Sequence, residues 1–366
     1  ALNRVFHKEW IDDKSYGADG SYKLKIGNQE VTFGFDYTRF LDGGDRNLPD
    51  DFRSPFRNPN YVNSHVLGLY LMDEITIGKD LLITPGLRYT SYRGKAGPSG
   101  RAEGIKDISL NGISPSVKIT YFLREESQLF FSLANAIRVP TPPEHYWHYS
   151  PDAGIYTGDM PMKKEEGLMI QGGLRAKLTP DTFVEFSPYY YNLKNFIRFD
   201  LINFISYNID RVRLYGCEIE VSHQLGKGFS VFGNYSLQKS KIKGDPIIDR
   251  FVSEEDRSFD ELPSLPEHVL NFGIQYKGKK EERIRLYGKY VSSQNVIYNN
   301  NRLFNENLRI RKQKEYLTLD LELKHPLGRG VELMGFLQNI FNEKYQERFG
   351  YEAMKRTWGI GLRGVF

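Results

Sequence analysis

Along this chain short turns and long connections take strict turns, and few folds tolerate that arrangement. The short turns sit at Gly27-Asn28, Gly78-Lys79, Arg124-Glu125, Pro180-Asp181, Gly226-Lys227, Gly278-Lys279 and Gly328-Arg329. The long connections lie between them, at roughly 42–62, 93–112, 140–165, 195–208, 241–264, 293–314 and 344–355. If the intervening segments are strands in a meander, every second connection falls at the same end. All short turns then gather on one rim and all long loops on the other. A soluble sandwich has no physical reason to sort its loops in this way.

The intervening segments do alternate with a period of two, as strands with one buried face must. From Tyr316 to His325, Leu317, Leu319, Leu321 and Leu323 alternate with Thr318, Asp320, Glu322 and Lys324. A helix could not separate these two sets. At the end of the chain Trp358, Ile360, Leu362 and Phe366 fall on one face and Thr357, Gly359, Gly361 and Arg363 on the other. About fifteen such segments are visible, many of ~10 residues or more, the length a tilted strand needs to cross a bilayer. Ordinary strands are nearer ~5–6 residues. Sorted loops, long strands and an apolar outward row predict an all-β fold, a transmembrane antiparallel up-and-down barrel with periplasmic turns and extracellular loops. Residues 1–366 read as one barrel domain, without a linker. The spacing singles out no helix, and the charged 241–264 and Pro-, Asn- and Asp-rich 45–62 connections read as solvated loops.

Composition is compatible with this fold. Mean hydropathy is -0.52, and no run approaches the ~18 apolar residues of a membrane helix, but a barrel needs only every second residue apolar. With 24 Tyr, 24 Phe and 34 Gly the chain suits extended strands with interfacial rings. One cysteine, Cys217, excludes an internal disulfide or Cys cluster and reads as a buried or lipid-facing thiol. The net charge of +4 is spread along the chain rather than clustered, which speaks against nucleic-acid binding.

Gly359-Ile360-Gly361-Leu362-Arg363-Gly364 matches a dinucleotide fingerprint, yet no helix can follow to hold a pyrophosphate. His145 and His148 share a loop with Met160 and Met162, a donor set that soft metals accept. Asp42, Asp45, Asp50 and Asp51 fit no calcium-loop spacing. The blander reading, an aromatic-rich or acidic loop without metal, is preferred for both, and no cofactor is expected. Ser64-His65 and Ser222-His223 are adjacent pairs whose side chains point to opposite faces of a strand, which argues against a lipase- or protease-like barrel and for a chain that is not an enzyme. Glu218 and Glu220 share a face, which the barrel makes the lumen.

From Ala134 onward the sequence resembles the barrel of TonB-dependent outer-membrane receptors. Ala136-Ile137-Arg138-Val139-Pro140-Thr141 is similar to the family's F-R-A-P-T, and Val212 to Glu220 resembles I-x-G-x-E-x-E with one extra residue before the Gly. Leu262-Pro263-Ser264-Leu265-Pro266-Glu267-His268 resembles L-P-x-x-P-x-H. Gln338 to Tyr345 resembles x-N-L-F-D-x-x-Y, followed by Lys355 to Leu362, similar to the family's closing strand. Residues 1–133 share only the strand rhythm. The resemblance implies a 22-stranded barrel closed by an N-terminal plug. About fifteen strands are present, so the plug, the TonB-contacting box and the early strands are expected outside this sequence. Counting back from the last strand makes residues 14–26 a descending strand, which agrees with an eighth strand of 22.

The resemblance further implies an energy-coupled importer in the outer membrane of a Gram-negative bacterium. Its partners would be the TonB complex through the plug, outer-membrane lipid, and the barrel-assembly machinery through Phe366. A scarce ligand would bind the loops, where aromatic rings stack and cations meet anionic groups; the candidates are Arg138, Tyr146, Trp147, His148, Tyr149 and Arg302. A ferric siderophore is the default ligand, with cobalamin, haem, copper or an oligosaccharide open, and the His and Met residues of 140–165 favour a metal-bearing compound. The alternative is a passive porin or an adhesin barrel without TonB coupling.

Overall fold

A computed structural model describes residues 10–11, 14–45, 60–96, 106–124, 126–149, 161–200, 205–298, 308–328 and 330–364, with side chains except at 10–11, 42–45, 60–61, 96, 146–147 and 149. Fifteen wall strands follow one another: β1 (Lys14–Ile26), β2 (Gln29–Asp45), β3 (Asn60–Ile77), β4 (Leu81–Ala96), β5 (Ile108–Arg124), β6 (Ser127–Arg138), β7 (Glu165–Thr179), β8 (Thr182–Asp200), β9 (Ile205–Gly226), β10 (Phe229–Lys243), β11 (His268–Lys277), β12 (Arg283–Val291), β13 (Tyr316–Gly328), β14 (Val331–Gln338) and β15 (Thr357–Gly364). Each pairs antiparallel with its chain neighbours, and Trp10–Ile11 adds to the far end of β2, giving one 16-stranded sheet. Among the described residues β1 and β15 have one neighbour each, so the wall is an up-and-down meander with two edges. Closure and the count of 22 lie outside the described residues.

The turns fall where the sequence puts them. Gly27, Gly78, Gly226 and Gly328 take φ of 61°, 64°, 83° and 93°, the left-handed region that glycine enters without steric cost.

The register lines up the two faces. Tyr22, Phe33, Leu71 and Leu87 form one cross-strand row, and Phe35, Leu69, Tyr89 and Ile113 the next. These large apolar side chains are exposed, as are Trp358, Ile360 and Leu362. An aqueous surface would not carry such a band; a lipid-facing surface requires it. The opposite rows carry Asp36, Tyr70 and Arg88, with Arg88 and Asp36 in an ion pair at 2.7 Å. At the other end of the sheet Leu321 aligns with Leu286 and Leu337 on the outside, while Glu322 aligns with Arg285 on the inside.

Three sequence expectations are corrected at the loop rim. The described residues of 195–208 are strand rather than loop: β8 runs for 19 residues to Asp200 and β9 starts at Ile205 and runs for 22. Crossing the bilayer takes roughly 9–11 residues, so this hairpin stands well clear of it. Helices do occur: α1 (Pro142–Tyr149) and α2 (Pro246–Phe251), followed by a 3-10 turn at Glu254–Asp256. The 241–264 connection is not simply solvated, because Ile247, Ile248 and Val252 are buried among its charges.

Candidate functional site

The loop that follows β6 is latched to the wall by Arg138. Its Nη1 donates to both Glu144 oxygens at 3.0 and 2.9 Å, its Nε to Glu165 Oε2 at 3.3 Å, and its Nη2 to the same oxygen and the Ile197 carbonyl, both at 3.2 Å. A guanidinium holds its N–H groups in a rigid fork, and here all three nitrogens have acceptors. Glu165 Oε2 also accepts from the Ile197 amide at 3.1 Å. One residue thereby ties β6, β7, β8 and α1 together.

Helix α1 begins with a capping box. The Thr141 amide and hydroxyl donate to Glu144 Oε2 at 2.8 and 3.1 Å, and the Glu144 amide approaches Thr141 Oγ1 at 3.4 Å. Pro142 and Pro143 follow, where missing N–H groups cost nothing. The side of α1 that packs on the wall carries His145 and His148. His145 Nε2–H donates to the Lys106 carbonyl at 2.7 Å, and its Nδ1 accepts from the Tyr92 hydroxyl at 3.3 Å. His148 Nδ1–H donates to the Ser206 carbonyl at 2.7 Å. Burial pushes the His145 imidazole down to about 4, aided by neighbouring His148 and opposed by the Lys106 carbonyl and Asp107. It is therefore neutral. A side chain at Gly94 would collide with His145 Nδ1 and the Tyr92 hydroxyl, so only glycine permits this seat.

Met162 is buried with Val62, Tyr92, Ile108 and Ile197, the cluster beneath α1. The structure thus gathers His145, His148 and Met162 into one packed region, with both nitrogens of His145 engaged by protein groups. Among the described residues no three His, Cys, Asp or Glu side chains form a group able to hold a metal. Tyr146, Trp147 and Tyr149 share α1, although their side chains lie outside the described set, as do Arg302 and Met160 altogether. The Asp42, Asp45, Asp50 and Asp51 side chains and Phe366 lie outside it too. Cys217 is half-buried on the outward row of β9.

A second rim element was not foreseen. Asp245 caps α2, accepting from the amides of Ile247 and Ile248 at 2.9 and 3.3 Å and from the Tyr207 hydroxyl at 3.4 Å. Burial raises its carboxyl, partly countered by Arg198 and the two amides. Ile247, Ile248 and Val252 pack on Ile205, Tyr207, Ile209 and Val212 of β9 and on Leu308. The next loop, a ribbon of Gln294–Tyr298 with Arg309–Gln313, is stitched to it. The Ser253 amide donates to the Leu308 carbonyl at 2.9 Å, the Leu308 amide to that of Phe251 at 2.7 Å, and Arg309 pairs with Glu255 and Asp256 at 2.8 and 3.0 Å. Three connections thus share one small apolar core above the wall. The cue in the sequence was Asp245-Pro246, a cap followed by Pro at the first helical position.

Below the rim the inner face is polar. Arg175 pairs with Glu185 at 2.9 Å, and with Ser187, Glu218, Glu220 and Asn234 they line a recess of about 400 Å³. Glu218 and Glu220 stand opposite Ser187 and Glu185, on the side away from Ile219 and Val221, as the lumen reading requires. The adjacent Ser–His pairs make no dyad: His65 Nδ1 bonds the Tyr37 hydroxyl at 2.6 Å and His223 Nδ1 the Thr182 hydroxyl at 2.9 Å.

The closing motif is an organised corner. Asn339 adopts a φ of 50°, its amide donates to Asp320 Oδ1 at 2.6 Å, its side-chain amide reaches the Glu343 carbonyl at 2.9 Å, and its Oδ1 accepts from the Glu343 amide at 2.8 Å. Asn342 Oδ1 accepts from the Arg356 amide at 3.1 Å, and the Tyr345 ring packs on Tyr316 at 4.4 Å.

Comparison with known proteins agrees with this geometry. A family model described as "TonB dependent receptor-like, beta-barrel" matches residues 3–340. No curated protein matches the chain. Among solved structures, the copper transporter OprC superposes with a TM-score of 0.73 at 17% identity, covering 96% of this chain and 56% of that one. The FrpB iron transporter from Neisseria meningitidis (F3-3 variant) gives 0.72 at 16% identity, with 96% and 54% covered. The pyoverdine receptor FpvA from Pseudomonas aeruginosa PAO1 gives 0.70 at 16% identity, with 98% and 54% covered. The chain therefore spans just over half the length of these proteins.

Proposed function

Because the chain belongs to the TonB-dependent receptor β-barrel family, we propose that it forms the wall and vestibule of an active importer in the outer membrane of a Gram-negative bacterium. The observation that carries this reading is the pairing of a sorted wall, apolar outside and polar inside, with loops gathered on one rim and anchored to it by Arg138 and the α2 core. A scarce compound would be held among the loops and released inward when the TonB complex acts on a plug. Lipid would cover the outward rows, and assembly would use the C-terminal Phe366.

The cargo is a ferric siderophore or another metal-bearing compound. The structures of similar fold are described as a copper transporter, an iron transporter and a pyoverdine receptor, which supports that class. Tyr146, Trp147, His148, Tyr149 and Arg302 are the proposed contacts. Arg138, its donors occupied, would serve them by seating α1.

The test is uptake by cells that express the full-length protein and lack other receptors for the labelled ferric chelates supplied. Concentrative uptake that a protonophore abolishes is expected. Equilibration insensitive to the protonophore would refute active import and leave a passive pore.

A further inference from the structure

Beside the α2 core two loop elements meet. The ribbon strand Arg309–Gln313 approaches the 344–355 loop, and the Gln313 side-chain amide donates to the Gln346 carbonyl. The loop is held in shape by the Gly350 amide on Gln346 Oε1 and the Ala353 amide on the Tyr345 carbonyl, both at 3.0 Å. Between the two lies a recess of about 340 Å³. Five cations line it, Arg311, Lys312, Lys314, Lys344 and Lys355, against two carboxylates, Glu315 and Glu352.

These lysines make no ion pair among the described residues. Other rim cations do: Lys239 with Glu267 at 2.8 Å, Lys289 with Glu347 at 3.5 Å and Arg309 with Asp256 at 3.0 Å. Like charges gathered without partners repel one another, and a low-dielectric wall concentrates their field on any anion that enters. The Arg311 guanidinium lies 5.9 Å from both the Tyr298 and Phe349 ring centroids, within reach of a cation–π attraction to each.

The loop that forms one side of the recess is seated on the inner face of the wall. Tyr345, one of its lining residues, packs on Tyr316, which shares the inner face of β13 with Thr318 and Asp320. Lys289, from the inner row of β12, reaches over Tyr316 and pairs with Glu347 of the same loop. Lipid headgroups would approach from the other side of the wall.

We propose that this recess binds a carboxylate or phosphate group of the compound that enters the vestibule, and so selects small molecules that arrive as anions. The assignment of that compound as cargo rests on the import reading above; the anion site itself does not. Lys344 and Lys355 supply the charge, and Arg311 supplies the planar fork.

Calorimetric titration of the detergent-solubilised full-length protein tests the site, with citrate and inorganic phosphate as probes and spermidine as the cationic control. Citrate is expected to bind, more weakly as salt rises, and spermidine is not. Lys344→Gln with Lys355→Gln should weaken citrate binding about tenfold, Lys344→Arg with Lys355→Arg should preserve it, and Lys239→Gln with Lys241→Gln, two cations paired elsewhere on the rim, should leave it unchanged. Equal loss in the rim control, no loss in the Gln pair, or no binding of either anion at millimolar concentration would overturn the proposal. Labelled-chelate uptake separates the two readings. Concentrative uptake combined with unaltered citrate binding in the Gln pair defeats the anion site alone. Site-dependent citrate binding without concentrative uptake defeats import alone.

Discussion

Replacing Arg138 by Gln removes the fork that ties α1 to the wall. The side chains of Glu144 and Glu165 are only 20% and 13% exposed, and they would be left facing each other without a cation. A fully buried pair broken in this way costs about 3–5 kcal/mol. The Arg138 side chain is 40% exposed, so solvent screens part of that loss. Hydrogen bonds to charged groups are worth about 1.5–3 kcal/mol, which places the cost near 2 kcal/mol. That energy multiplies the open population of α1 by about thirtyfold. The capping box within α1 survives the substitution, so the helix should detach rather than melt in place. Amide hydrogen exchange followed by mass spectrometry reads this directly, with peptides over 139–149 compared against β11 to β13 as an internal reference. Protection of α1 should fall about thirtyfold while the reference strands keep theirs. Arg138→Lys should fall between the two, since one ammonium cannot reach both carboxylates as the fork does. Unchanged protection of α1 in Arg138→Gln, or equal loss in β11 to β13, would refute the latch.

The seat of α1 should also respond to pH. His145 titrates near 4 when seated and near its ordinary value of 6.5 when released, so the open form binds more protons between those values. Seating is complete above about pH 6.5 and weakens as pH falls toward 4; exchange rates of 142–149, corrected for intrinsic chemistry, should rise in that window in the wild type and not in His145→Gln, and a flat profile in the wild type would count against a buried neutral imidazole. On the wall, Leu321→Arg puts a charge into the outward row beside Leu286 and Leu337 and should cost about 2–4 kcal/mol in denaturant titrations of the protein in lipid vesicles. Glu322→Arg, one residue along on the inner face, should cost much less, and equal costs would mean that the faces have been assigned the wrong way round.

What was legible in the sequence follows the physics of each region. Within the bilayer every outward residue must be apolar, so Leu317 to Leu323 announce both strand and face. Above the bilayer that demand lapses. The pairing of Phe196 to Asp200 with Ile205 to Ile209 continues there, yet Lys194, Arg198, Asp200 and Arg211 fall on the row that is apolar lower down, so the segment reads as a loop. Helices of eight and six residues are too short to show a period. Their starts were nevertheless marked, by Thr141-Pro142-Pro143-Glu144 and by Asp245-Pro246. The loop core was hidden for another reason: Ile209, Ile248 and Leu308 are far apart in the chain, and nothing local says that they meet. Arg138 was put forward as a loop cation for anionic ligand groups; the structure shows its nitrogens donating to Glu144, Glu165 and Ile197, a role that depends on partners from three other elements.

The small core shared by β9, α2 and Leu308 gives the rim a modular character. Its apolar residues face one another rather than the bilayer, so the membrane-crossing rows do not depend on them. Substitutions on the outer skin of this cap should therefore leave the membrane-crossing rows intact, so that this surface can vary independently of the wall. The same separation would let the cap be grafted as a unit. Its boundaries would be set by the residues that complete its core, so a transplant has to carry the tip of β9 and the ribbon at Leu308 along with α2.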